Sequence, residues 1–264
     1  MIPEEPSIDW KMLALENSQS KTTFMGTFGS QKVFIKSNAN PILPSLSSEG
    51  ISPKIQWIRK IENGDTLTAQ SWIEGRTLKE DELYDDQVYE ILKKLHTSRT
   101  LRDSFSNFNR LISRPAEMLR DLVISENSVI ATNTFLKNIV DDMMKTVPIL
   151  NNLGIVVVHG NIVPENWLKD EKTGKIYLTG WDNVSLGDAF LDNAFLLSHY
   201  IPKEEWGIWL AKSGDHLSDV VTISKLIWYG KLSFLRQIQK YLLMGNTVAA
   251  NAEIQALRKF KDSF

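Results

Sequence analysis

Over the first quarter of the chain, apolar and polar residues alternate in short strand-like runs; most of the remainder follows a helical spacing. Residues 22–36, TTFMGTFGSQKVFIK, predict two strands around a turn, with Gly26 and Gly29 supplying the bend and Val33-Phe34-Ile35 forming an apolar run. SNANPILP at 37–44 interrupts this pattern with Asn and two prolines. Ile51, Ile55 and Ile58 then recur near a 3.6-residue period and predict a helix over about 47–61, with Pro53 in its first turns. Residues 66–73 predict another strand, and Glu74-Gly75-Arg76 a turn.

Beyond Gly75 the helical period dominates. The acidic run KEDELYDD at 79–86 opens a helix that ends near Leu95-His96, and its carboxylates suit the positive end of a helix dipole. Residues 115–149 and everything from Ala189 onward are predicted helical. Val156-Val157-Val158 and Ile176-Tyr177-Leu178 are short buried-strand runs that bracket a loop and a turn at Lys172-Thr173-Gly174. The order implies an α+β protein with a small β-rich first lobe, residues 1–75, and a larger mainly helical second lobe, residues 76–264.

The 264 residues suit one large domain or two lobes sharing a cleft, and 42% hydrophobic content is enough for a sizeable core. A formal net charge of -2 asks for no nucleic-acid partner. Without cysteine, disulfides, thiolate nucleophiles and Cys-based metal sites are excluded. The first ten residues, MIPEEPSIDW, lack the basic and apolar regions of a signal peptide, and no apolar stretch approaches the ~20 residues of a membrane span. A cytoplasmic location is expected.

The chemistry-bearing segment runs from Val156 to Asp192. It contains His159-Gly160-Asn161-Ile162-Val163-Pro164-Glu165-Asn166 and then Leu178-Thr179-Gly180-Trp181-Asp182-Asn183. A kinase loop of the form H-x-D-x-x-x-x-N presents an Asp to the acceptor hydroxyl and an Asn to Mg²⁺, while a second Asp after the next strand holds the cations that bridge the phosphates. Here the two aspartate positions hold Asn161 and Gly180.

With His159-Gly160, Asn166, Trp181, Gly187-Asp188, Asp192 and Ala194 in order and at matching spacing, the segment resembles the aminoglycoside phosphotransferase and choline kinase superfamily. The resemblance implies a bilobal protein-kinase-like fold. It also implies that Lys36 reaches nucleotide phosphates, that Glu49 on the next helix pairs with it, and that Gln70 and Trp72 lie in a nucleotide-contacting hinge within 70–75. His159, Asp188 and Asp192 would brace the loop. NPILPSL at 40–46, HYI at 199–201 with Trp206 and Trp209, and WYGKLSFL at 228–235 further resemble kinase-like cell-cycle regulators of streptococci and other Gram-positive bacteria.

An amide at position 161 cannot accept a proton at neutral pH, and a glycine at 180 offers a metal nothing. The resemblance therefore implies ATP and Mg²⁺ as cofactors with weakened binding, Asn166 and Asp182 as the remaining metal donors, and a regulatory pseudokinase. Its expected partners are proteins of the bacterial division or replication machinery. The alternatives are an active ATP-dependent phosphotransferase acting on a sugar, nucleoside or choline-like hydroxyl, and an adaptor that binds no nucleotide. Trp206, Trp209, Trp228, Tyr229, Phe234 and Tyr241 sit at helical spacing and are expected in the core.

Overall fold

The computed structural model describes residues 10–15, 22–108, 111–124 and 129–264. In chain order, the first elements are β1 (Lys11–Ala14), β2 (Thr23–Phe28), β3 (Gln31–Ser37), α1 (Leu43–Ser48), β4 (Ile55–Lys60), β5 (Thr66–Ser71) and β6 (Gly75–Thr77). The helices α2 (Asp86–Thr97), α3 (Arg99–Phe108), α4 (Pro115–Ile124), α5 (Val129–Thr132) and α6 (Thr134–Lys145) follow. Then come β7 (Ile155–Val158), β8 (Trp167–Asp170), β9 (Ile176–Leu178), β10 (Ser185–Asp188), α7 (Phe190–His199), α8 (Trp206–Ala211), α9 (Val220–Leu243) and α10 (Thr247–Lys261). The expected α+β class is present.

The chain forms two compact units. One comprises the residues up to Leu78 together with Glu165–Asp182; the other comprises Lys79–Pro164 and Asn183 onward. In the first, an antiparallel sheet of order β1-β2-β3-β5-β4 encloses Val33, Ile35 and Ala69, against which Trp10, Phe24, Trp57 and Leu67 pack. Gly26 lies inside β2 and not in the turn: a Cβ there would stand 2.6 Å from Ile35 Cδ1, so it is the packing of β3 that demands glycine. Gly29, at φ 56°, makes the turn.

The helix expected over 47–61 is a strand. α1 ends at Ser48, Gly50 turns the chain at φ 71°, and residues 55–60 pair with β5. Ile58 faces outward at 47% exposure, while Ile55 and Trp57 are half-buried, a two-residue alternation. Open pairing positions along β5 and the donor lost at Pro53 outweigh a period that three isoleucines share with a helix by coincidence.

The turn expected at Glu74-Gly75-Arg76 is also a strand. Gly75, Arg76 and Thr77 pair with Asp170, Lys169 and Leu168, and β8 pairs on its other side with β9. A Cβ on Gly75 would lie 2.0 Å from the Lys169 carbonyl oxygen, so this contact needs glycine. A sequence boundary at Gly75 therefore falls inside β6, and residues 165–182 return to the first unit.

In the second unit α9 is the central helix. Asp219 caps it, its carboxylate accepting from Thr222 N–H at 2.9 Å, and Leu226, Trp228, Leu232, Leu235 and Ile238 are all buried. Trp206, Trp209, Trp228, Tyr229 and Phe234 are core residues, as expected. Trp228 Nε1 donates to the Met143 carbonyl at 3.0 Å and Trp206 Nε1 to the Ile201 carbonyl at 2.9 Å. Tyr241 is half-buried. Among the described residues no helix is long and apolar enough to cross a membrane.

Gly230 lets α9 approach Phe260 of α10, since a Cβ at this position would stand 2.4 Å from Phe260 Cζ. That ring is hemmed in by Trp206, Phe234 and Phe264. Gly230→Ala gains about 1 kcal/mol of helix propensity but overpacks a site where such changes cost about 1–3 kcal/mol. Denaturant unfolding is expected to show a net loss of stability, and Phe260→Leu in the same chain should recover most of it.

Candidate functional site

The loop after β7 is held by one buried carboxylate. Asp192, in the first turn of α7, accepts from His159 N–H at 2.9 Å, from Gly160 N–H at 2.8 Å and from His96 Nε2 at 2.9 Å. His96 lies in the last turn of α2. Burial alone would raise the Asp192 carboxyl, but the His96 hydrogen bond and charge, the nearby His159 and the Gly160 N–H together hold it below its ordinary value. Gly160 takes φ 74°, and a Cβ there would meet the Asn183 carbonyl oxygen at 3.0 Å.

Asn161 is half-buried, and its N–H donates to His159 Nδ1 at 3.2 Å. His159 is fully buried, with Nδ1 as an acceptor, so its proton sits on Nε2 and the ring braces the loop. Ile162 and Val163 of the same loop are buried. Asp188 accepts from Phe190 N–H at 3.0 Å and pairs with Lys225 at 2.7 Å. The second unit thus presents Asn161, a neutral amide, on a loop with a complete supporting frame.

The first unit carries Lys36, Asn166, Gly180 and Asp182. The Asn166 carbonyl accepts from Thr179 N–H at 2.8 Å and from Thr179 Oγ1 at 3.0 Å, which binds the start of β8 to the end of β9. Gly180 then turns at φ 77°. Asn166 lies directly over it: a Cβ at 180 would stand 2.3 Å from Asn166 Oδ1. The amide of Asn166 fills the space that a metal-holding side chain would enter. Trp181, buried and donating to the Leu178 carbonyl at 3.1 Å, anchors the one-turn segment that carries Asp182.

Lys36, at the end of β3, pairs with Asp182 at 2.5 Å. The Lys36 side chain is 19% exposed and that of Asp182 65% exposed, so solvent screening limits the pair to about 0–1 kcal/mol. Its consequence is orientation: the one carboxylate beside Gly180 in sequence is turned onto the lysine. Glu49 does not sit within a helix; it is the C-terminal cap of α1, its N–H donating to the Ser45 carbonyl at 3.1 Å. The Gln70 side chain is buried and turned inward, donating to the Pro53 carbonyl at 2.8 Å. Trp72 follows β5, half-buried, and adjoins Glu74.

The donor set does not fit a pair of cations held by carboxylates. Gly180 supplies no ligand, Asn166 is neutral and Asp182 is engaged by Lys36. Among the described residues no three of His, Cys, Asp and Glu gather into a metal-binding group.

A β-sheet unit carrying a strand-end lysine, followed by a helical unit with a buried-Asp-braced His-Gly-Asn loop, defines a kinase-like phosphotransferase architecture. The chain belongs to the phosphotransferase enzyme family, whose model matches residues 39–220. Among solved structures, it is similar to choline kinase LicA from Streptococcus pneumoniae at 18% identity, with a TM-score of 0.64 over 94% of this chain and 93% of that one. A putative aminoglycoside phosphotransferase from Ralstonia eutropha JMP134 matches at 13% identity, with a TM-score of 0.73 over 98% and 93%. A spectinomycin phosphotransferase, solved with ADP and spectinomycin, matches at 16% identity, with a TM-score of 0.63 over 97% and 89%. At these identities the likeness concerns the fold.

Sequence reasoning missed the Lys36–Asp182 pair and the seating of Asn166 on Gly180; both join residues far apart in the chain or across a hairpin. The Leu95-His96 helix end was a visible signal for the Asp192 partner.

Asp192→Asn should remove a buried charge from its three donors and destabilise the fold by about 3–5 kcal/mol in denaturant titration. Because the folded-state pKa is depressed, the Asp192 contribution is complete above the unfolded-state value of about 3.9 and is lost as pH falls through the lower folded-state value. The stability-versus-pH curve of the variant should therefore be flatter on its acid side than that of the unaltered protein.

Proposed function

We propose that this protein binds nucleotide through Lys36 but transfers phosphoryl groups poorly or not at all, and acts as a regulatory pseudokinase. The observation that carries this reading is the Asn166 amide packed over Gly180, where the family's chemistry calls for a carboxylate. Asn161 removes the second anion. Loss of a general base costs ~10²–10⁴-fold in rate, and charge stabilisation by a metal contributes on the order of several kcal/mol. Both losses act on one transition state and need not add.

Lys36 remains the cationic group for a phosphate. A nucleotide would take it from Asp182 by exchanging one ion pair for another, at little net cost because the Asp182 side of the existing pair is exposed. Binding of this kind draws on lysine alone and depends weakly on Mg²⁺. The segments at 40–46, 199–201 and 228–235 that resemble cell-cycle regulators support a role in coordinating division and replication through protein partners.

Thermal-shift titration with ATP is expected to raise the melting temperature almost equally with and without Mg²⁺, and Lys36→Met should abolish the rise. ATP turnover by the unaltered protein should stand near background. Asn161→Asp should raise it, and Asn161→Asp with Gly180→Asp should raise it at least about tenfold, the scale of a partly restored general base. Position 180 can accept Asp in its left-handed conformation at a cost of roughly 1–2 kcal/mol, provided that the Asn166 amide rotates away. Mg²⁺-dependent turnover by the unaltered protein that the double change does not exceed would overturn the reading, and would mean that Asp182 and Asn166 serve a metal after all.

A further inference from the structure

Lys36 and Asp182 belong to the same unit, and each is presented by a fixed piece of backbone. Lys36 sits on β3, paired with Thr23 of β2 on one side and with Thr68 of β5 on the other. Asp182 follows the turn at Gly180 and rides on the one-turn segment Trp181–Asn183. The buried Trp181 ring, donating to the Leu178 carbonyl at 3.1 Å, pins that segment.

The pair is lopsided. Nζ and Oδ1 stand 2.5 Å apart, but the Lys36 side chain is 19% exposed and that of Asp182 65% exposed. The carboxylate therefore lies on the solvent side of the ammonium, and an anion arriving from solvent meets Asp182 first. The carboxylate has no space to fold back over Gly180, because the Asn166 amide is there: a Cβ at 180 would stand 2.3 Å from Asn166 Oδ1.

An ammonium has three N–H donors. With one of them on Asp182, a phosphate that took the others would stand beside a like charge. A phosphate gains the whole ammonium only when the Asp182 side chain swings out into water, and that movement costs the existing ion pair.

We propose that Asp182 is an autoinhibitory residue that masks Lys36 from phosphate-bearing ligands, and that it does not serve the site as a metal donor. This rests on the nucleotide reading for the identity of the ligand, and adds the residue that regulates the same site.

Calorimetric titrations with ATP and with inorganic tripolyphosphate, first without Mg²⁺, test it. Asp182→Asn should bind both ligands about two- to fivefold more tightly than the unaltered protein, the scale of an exposed ion pair. Asp182→Ala should move affinity in the same direction. Glu62→Gln makes the same change of net charge at an exposed turn of the same unit and should leave both affinities unchanged. In Lys36→Met, adding Asp182→Asn should bring no gain, because the two residues act as a pair. With Mg²⁺ present the order of affinities should be the same.

A gain of equal size in Glu62→Gln, a gain that survives Lys36→Met, or unchanged affinity in Asp182→Asn would each overturn the mask. Weaker ATP binding by Asp182→Asn when Mg²⁺ is present would overturn it too, and would make Asp182 a metal donor. Tripolyphosphate bound more tightly by Asp182→Asn, with ATP no tighter than tripolyphosphate, would sink the nucleotide reading and uphold the mask. ATP bound more tightly than tripolyphosphate, with no gain in Asp182→Asn, would do the reverse. Binding of neither ligand to either protein would sink both.

Discussion

A carboxylate withdrawn from water must find donors for its oxygens or give up its charge. Asp192 finds three, from two stretches of chain: a helix end at His96 and two successive loop amides at His159 and Gly160. The arrangement ties α2, β7 and α7 to one point and sets the path of the loop that carries Asn161. Gly160 completes it by accepting a left-handed turn against the Asn183 carbonyl.

The first unit shows a different economy. Where the family's chemistry needs a carboxylate after β9, Gly180 leaves a gap and the Asn166 amide closes it. The nearest remaining carboxylate, Asp182, is turned to Lys36. The result is a lysine still presented at the end of β3 and a charge pattern poorly matched to dications.

The order of elements was largely legible in the sequence. The β2–β3 pair, the helix ending near His96 and the helical final third follow from alternation or 3.6-residue periodicity, whereas most of the acidic run at 79–86 forms a separate 3-10 turn, Glu80–Tyr84, ahead of α2. Errors fell where a period was short or ambiguous. Three isoleucines between 51 and 58 fit a helix as well as a strand, and only the pairing of residues 55–60 with β5 decides between them. β8 and β10 have four residues each, too few to show alternation, and they exist because β6, β9 and β7 offer partners. Gly26 and Gly75 looked like turn residues, yet both serve close packing, which depends on what lies opposite.

The sequence by itself determined the family, through the spacing of His159, Asn166, Asp188 and Asp192, and it determined the chemical deficit, because Asn161 and Gly180 lack the anions whatever their surroundings. Tertiary structure alone decided what replaced them. Lys36 meets Asp182 across 146 positions of sequence, and Asn166 meets Gly180 across a hairpin. Local pattern records which groups a chain carries. Which of them neutralise one another depends on distances of a few ångströms between segments far apart in sequence, and only the folded chain fixes those.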